Sequence, residues 1–167
     1  AVVTDDIEIY EYIKSLSNHG LKNNSSKKGD FIAAGFNYRM SEIQAALGIE
    51  QMKKLDSLIA HRLKIAEYYN YKLNSSDLVV PGLPDDLEHV FQSYVVLLNE
   101  RFDGKRDQII SRLLDEGIET TVGTWHIPLT PFYSKKYGHT LGDFPECDKA
   151  FKCSLTLPLY GKMQYSD

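Results

Sequence analysis

Cysteine is scarce in this chain: Cys147 and Cys153 are the only two. With no signal-peptide pattern, that scarcity excludes a disulfide framework and favours a reducing, cytoplasmic setting. Their spacing fits no zinc or redox signature, and both are expected to be small core hydrophobes on different faces of a helix. The five histidines, at 19, 61, 89, 126 and 139, make no HxxxH or HExxH pair, so no metal site is expected. No G-x-S-x-G element places a serine nucleophile, and no glycine-rich phosphate loop is present. No apolar run approaches the length of a membrane span. The net charge of −4 lacks the basic field that a general nucleic-acid or membrane-surface binder needs. What is present is a composition of 43% hydrophobic and 25% charged residues, which marks a soluble globular chain. Its 167 residues suit one domain, or one domain with part of another.

Read in order, "AVV" predicts the end of a buried strand. In "TDDIEIYEYIKSLSNHG", Asp5 and Glu8 have capping-box spacing, Ile9, Ile13 and Leu16 share a face, and Gly20 supplies a stop. The polar "LKNNSSKKGD" cannot bury enough surface to offset its ordering entropy and predicts a mobile loop, with Lys27 and Lys28 solvated. Ser41 and Gln44 form a second capping box, opening a helix with Ile43, Leu47, Met52 and Leu55 at near-helical spacing. Its Ala45, Ala46 and Gly48 would let a neighbour approach the backbone closely. A further helix from Asp56 to Leu73 carries Ile59, Leu63 and Ala66 on one stripe. "SSDLVVPGLPDDLEH" predicts a connection, "VFQSYVVLL" a strand, and "DGKRDQIISRLLDEG" an amphipathic helix with Ile109, Ile110, Leu113 and Leu114 inward. "IETTV" and "SLTLPL" predict two more strands, with a short helix over 145–152 between them. The second half is therefore expected to be a small α/β layer with a mostly antiparallel sheet.

Two segments carry polar groups worth weighing as sites. Asn37, Tyr38 and Arg39 follow Gly35 and precede the capped helix. The plain alternative is a turn with a packed tyrosine and a surface ion pair. The functional alternative is an anion site, with an amide and a guanidinium beside a helix start. His126, in "GTWHIPLTPFY", sits among Trp125, Phe132 and Tyr133 in a loop stiffened by Pro128 and Pro131. It is either packed or part of an aromatic wall for a sugar or nucleotide.

The ordered blocks "AVVTDDIEIYEYIKSLSNHG", "GFNYRMSEIQAALGIEQMKKLD", "HRLKIAEYYNYKL", "YVVLL", "LLDEGIETTVGTWHIPL" and "LTLPLY" resemble the DegT/StrS-type sugar-nucleotide aminotransferases over nearly the whole chain. These are enzymes of fold type I that use pyridoxal phosphate (PLP). The resemblance implies the C-terminal part of that fold: residues 1–36 as the tail of the large PLP domain and a mobile loop, and residues 37–167 as the small domain with connecting helices. It implies that Asn37 reaches the PLP phosphate of a partner subunit, with Tyr38 and Arg39 near cofactor or substrate phosphates. His126 and its loop would line the sugar-nucleotide side, although "HIPLTPFY" departs from the family's longer spacing and lacks its second histidine.

In the family the lysine that carries PLP lies upstream of the "VVTDD" strand. No lysine here has that context, and Lys14, Lys54 and Lys64 are expected at outward positions. The chain is thus expected to be a piece of a longer homodimeric aminotransferase, incomplete for catalysis and not a PLP binder alone. Its intact form would use a nucleotide sugar and an amino-acid donor. The alternatives are a non-catalytic dimerisation module and a PLP-dependent sugar dehydratase.

Overall fold

A computed structural model describes residues 2–22, 29–74, 77–82 and 87–165. Of the mobile loop expected over residues 21–30, residues 23–28, with Lys27 and Lys28, lie outside them. The chain forms two compact units, residues 1–53 and residues 54–167.

In the first unit, α1 (Ile7–Leu16) begins one residue later than the sequence spacing predicts. Asp6, not Asp5, is the cap, its carboxylate accepting the N–H groups of Glu8 at 2.8 Å and Ile9 at 3.2 Å. Asp6 holds the extended backbone that a cap requires, so it satisfies two otherwise orphaned donors. After α1 the chain doubles back. His19 N–H donates to Phe36 O at 2.8 Å, Phe36 N–H to Leu16 O at 2.7 Å, Ile32 N–H to Gly20 O at 2.8 Å and Tyr38 N–H to Ser17 O at 2.9 Å. Glycine makes this approach possible. A Cβ on Gly35 would lie 2.1 Å from Gly20 N, and one on Gly20 would lie 1.8 Å from Ala33 O.

The segment then enters α2 (Glu42–Met52), where the predicted capping box is present. Ser41 Oγ accepts Gln44 N–H at 3.3 Å, and Gln44 Oε1 accepts Ser41 N–H at 3.0 Å. Its packing differs from expectation. No residue of α2 is buried, Ile43 is 83% and Leu47 63% exposed, and a Cβ on Gly48 would meet nothing within 4 Å. Among the described residues of "AVV", Val2 and Val3, the expected strand is also absent. Val2 and Val3 are exposed, Val3 at 94%, with no ladder partner among the described residues. A strand is defined by a neighbour, and apolar composition alone cannot supply one.

The second unit is built on α3 (Leu55–Leu73) and a sheet. β1 (Leu78–Val79) falls within the stretch expected as a connection, and β2 (Tyr94–Leu98) within the predicted strand. After a 3-10 turn (Glu100–Phe102) comes α4 (Arg106–Asp115), then β3 (Thr121–Val122), shorter than "IETTV". A 3-10 turn (Ile127–Leu129) and α5 (Pro131–Tyr137) occupy a segment in which no helix was expected. α6 (Pro145–Cys153) leads directly into β4 (Ser154–Leu157).

The four strands order as β1-β2-β4-β3, all antiparallel, with Val96 opposite Leu155 and Thr121 opposite Thr156. Burial alternates along β2, so Tyr94, Val96 and Leu98 face inward. With Ala66, Phe91 and Leu155 they form the core, flanked by Leu63, Ile109, Ile110 and Leu113. Each large apolar side chain buried there stabilises the unit by about 1.5–3 kcal/mol. Leu114 does not join them. It is 60% exposed, because the inward stripe of α4 follows 106, 109, 110 and 113 and leaves 114 at its edge. Cys147 and Cys153 are half-buried rather than core, and the Cys153 thiol donates to Lys149 O at 2.8 Å.

Candidate functional site

The doubled-back backbone of the first unit presents Asn37, Tyr38 and Arg39 to solvent immediately before α2. Asn37 forms an antiparallel bridge with Asn18, which fixes the main chain and leaves the side chain outward. Arg39 Nε donates to Asn37 Oδ1 at 3.1 Å. That bond uses the amide oxygen, so Asn37 Nδ2 and the terminal guanidinium nitrogens of Arg39 are donors without a protein partner among the described residues. The Phe36 and Tyr38 rings stack, 5.0 Å apart and 8° from parallel. The arrangement offers N–H donors and one positive charge next to a capped helix start, which suits an anion.

His126 belongs to the second unit and is only 4% exposed. Its Nε2 lies 2.5 Å from Asp148 Oδ1, and the other carboxylate oxygen, Oδ2, accepts Gly142 N–H at 2.9 Å. Phe151 packs edge-on against the imidazole at 6.1 Å. The surface is carried instead by its neighbours: Trp125 is 65% exposed, and Ile127, Phe132, Tyr137 and Leu141 are exposed as well. Farther round the loop, Asp143 accepts Thr140 N–H at 2.9 Å. That bond, with the Thr140 hydroxyl and nearby His139, holds its carboxyl below the usual carboxylate range. Arg106 is buried, donating to Phe151 O and to Asp107 Oδ1 at 2.9 Å, which ties α4 to α6.

A cavity of about 700 Å³ in the second unit, lined by Tyr68, Tyr69, Thr120, Tyr160 and Tyr165 among others, has no counterpart in the sequence reading. Its residues come from α3, the end of α4, the turn that leads into β3, and β4 with the stretch after it, so no local pattern announces it. Beneath it, burial and then the neighbouring Tyr69 push the Tyr94 phenol up to about 12. Its hydroxyl donates to Asn70 Oδ1 at 2.5 Å. Asp148 was likewise missed. The only sequence signal was an acid in the first turn of a proline-initiated helix, 22 positions from the histidine it meets. Among the described residues no group of three His, Cys, Asp or Glu side chains could hold a metal, and Lys14, Lys54 and Lys64 are exposed.

Residues 1–167 match the profile of the DegT/DnrJ/EryC1/StrS aminotransferase family. The chain belongs to this family. It is 33% identical over 177 residues to the spore coat polysaccharide biosynthesis protein SpsC of Bacillus subtilis, covering 99% of the chain and 46% of that relative. It is 29% identical over 171 residues to the UDP-4-amino-4,6-dideoxy-N-acetyl-beta-L-altrosamine transaminase of Campylobacter jejuni, covering 100% of the chain and 44% of the relative. The sugar aminotransferase Spr1654 of Streptococcus pneumoniae, described as putative and solved in its PMP form, superposes with a TM-score of 0.86 at 27% identity, over 99% of this chain and 42% of that one. The chain thus spans about half the length of the curated relatives it matches. The α/β fold of a PLP-dependent aminotransferase, with long helices and a small antiparallel sheet, is the one observed. Among the described residues no helix is long and apolar enough to cross a membrane.

Proposed function

We propose that this chain supplies the cofactor-phosphate arm and the small domain of an aminotransferase that transfers an amino group from an amino acid to a keto-sugar nucleotide in the cytoplasm. The observation that carries the proposal is the exposed Asn37–Arg39 pair beside the start of α2, in a chain that matches the aminotransferase family from end to end. The naming of the Campylobacter relative as a transaminase of a UDP-linked amino sugar supports the substrate class.

The residues present fit the phosphate end of PLP. Asn37 Nδ2 and the Arg39 guanidinium offer uncommitted donors, and the α2 start adds a favourable dipole. When bound, PLP supplies the electron sink for the transfer. The chain's own residues bind and orient. Asn37 holds the phosphate across a homodimer, Tyr38 and Arg39 attend cofactor or substrate phosphates, and His126 serves the sugar side by holding the loop that displays Trp125 and Ile127. No lysine of the chain is assigned to the cofactor's carbonyl end.

A second reading, a dimerisation module without catalysis of its own, is favoured by the uncovered apolar residues Ile43, Leu47 and Met52 of α2. The two are separated in the full-length protein that contains residues 1–167. Amino transfer from glutamate to a keto-sugar nucleotide, with Asn37→Ala weakening PLP retention about tenfold, is the expected result. An active N37A enzyme with unchanged PLP affinity refutes the assignment of Asn37. Absence of any transfer, together with concentration-dependent self-association, favours the second reading.

A further inference from the structure

Buried polar groups in folded proteins are nearly always paired, so an incompletely paired one carries information. His126 and Asp148 are both buried, and the imidazole is satisfied on one side only. Nε2 meets Asp148 Oδ1 at 2.5 Å, whereas Nδ1 is buried with no hydrogen-bond partner among the described residues. We propose that Asp148 is a positioning residue that selects the ring state of His126 and fastens the aromatic loop between residues 126 and 142.

The ring state follows from donor and acceptor accounting. A bare Nε2 would set its lone pair against a carboxylate oxygen, so Nε2 carries the proton and donates. A second proton, on Nδ1, would leave a charged N–H buried without an acceptor, a costlier arrangement than a bare nitrogen. The proposed ring state therefore has Nε2–H facing Asp148 and a bare Nδ1.

Asp148 is suited to the acceptor role because it lies in the first turn of α6, where the helix dipole favours negative charge. Its second oxygen takes Gly142 N–H at 2.9 Å, so one carboxylate grips the loop at both ends. Between the grips lie the 3-10 turn, α5 and the exposed rings of Phe132 and Tyr137. A loop held in one conformation before a ligand arrives loses less entropy on binding. Use of that loop as a sugar-nucleotide wall rests on the function proposed above, whereas the clamp rests on the geometry alone.

The test is nitrogen NMR of the His126 ring together with hydrogen exchange at the Gly142 amide, in the wild type, Asp148→Asn and Asp148→Ala. The expected wild-type spectrum has a protonated Nε2 and a bare Nδ1. In D148N the side chain has one oxygen, which can serve the ring or Gly142 but not both. Either the oxygen stays with the ring and the Gly142 link is lost, seen as exchange about tenfold faster, or it stays with Gly142 and the amide NH2 donates to a bare Nε2, seen as a switched tautomer. In D148A both links are lost, while continued protection of the Val96 and Leu155 amides shows that the unit still folds. A wild-type ring protonated at Nδ1, or D148A with unchanged ring signals and Gly142 exchange, overturns the proposal. The wild-type spectrum decides even where a variant fails to fold. Because these readouts need neither cofactor nor substrate, their failure leaves the aminotransferase reading standing, and loss of that reading leaves them intact.

Discussion

Replacing Gly35 by alanine tests how the first unit holds its polar tripeptide. The added Cβ would sit 2.1 Å from Gly20 N, 2.6 Å from His19 C and 2.8 Å from Leu16 O, all main-chain atoms that cannot swing aside. The φ of Gly35 is not in the left-handed region, so the effect is contact and not backbone strain. To restore ordinary van der Waals distance the two segments must part by roughly 1 Å, since packed backbone has no slack to absorb the overlap. Three hydrogen bonds now at 2.7–2.9 Å span that gap: Phe36 N–H to Leu16 O, His19 N–H to Phe36 O and Tyr38 N–H to Ser17 O. At about 0.5–1.5 kcal/mol net each, their loss costs about 1.5–4.5 kcal/mol locally. Amide exchange at His19, Phe36 and Tyr38 should therefore accelerate about ten- to a thousandfold. The core amides of Val96 and Leu155 should stay as they are. Protection of Phe36 and Tyr38 within about twofold of wild type would refute the argument that glycine at this crossing positions Asn37 and Arg39.

Gly48 is the contrasting case. Gly48→Ala meets nothing within 4 Å in the interior of α2, so it should raise local helix stability by about 0.5–1 kcal/mol, read as slower exchange of the α2 amides. Faster exchange there would mean that the glycine has a neighbour after all. Tyr94 sets a limit at high pH. Its folded pKa, about 12, lies above the unfolded value near 10, so the buried neutral phenol contributes fully below pH 10. That contribution is lost as pH rises from about 10 through about 12. Urea titrations should show a steeper loss of stability across this window for the wild type than for Tyr94→Phe, and parallel curves would count against the shift. At neutral pH the same variant should be less stable by about 1 kcal/mol through loss of the bond to Asn70.

The most legible parts of the chain were those governed by neighbours a few residues apart. The capping box of Ser41 and Gln44, the stripe of α3 and the alternation of β2 all follow from helix or strand period and from side chains reaching their own backbone. The Asp5–Asp6 ambiguity was less legible, because either aspartate can cap and only the backbone conformation chooses between them. The tripeptide Asn37-Tyr38-Arg39 could be picked out from residue type and from family resemblance. Its exposure could not, since it depends on two glycines fifteen positions apart whose backbones touch.

What the sequence by itself determined is the helices α1 to α4 and α6, the approximate places of β2, β3 and β4, and the kinship with sugar aminotransferases, because local periodicity and ordered motifs are written in the linear order of residues. Only the tertiary structure decided that β4 inserts between β2 and β3, that the apolar side of α2 lies uncovered, and that His126 is sealed inside against Asp148. Each of these depends on which distant segment occupies the neighbouring space, and no pattern confined to a few consecutive residues contains that information.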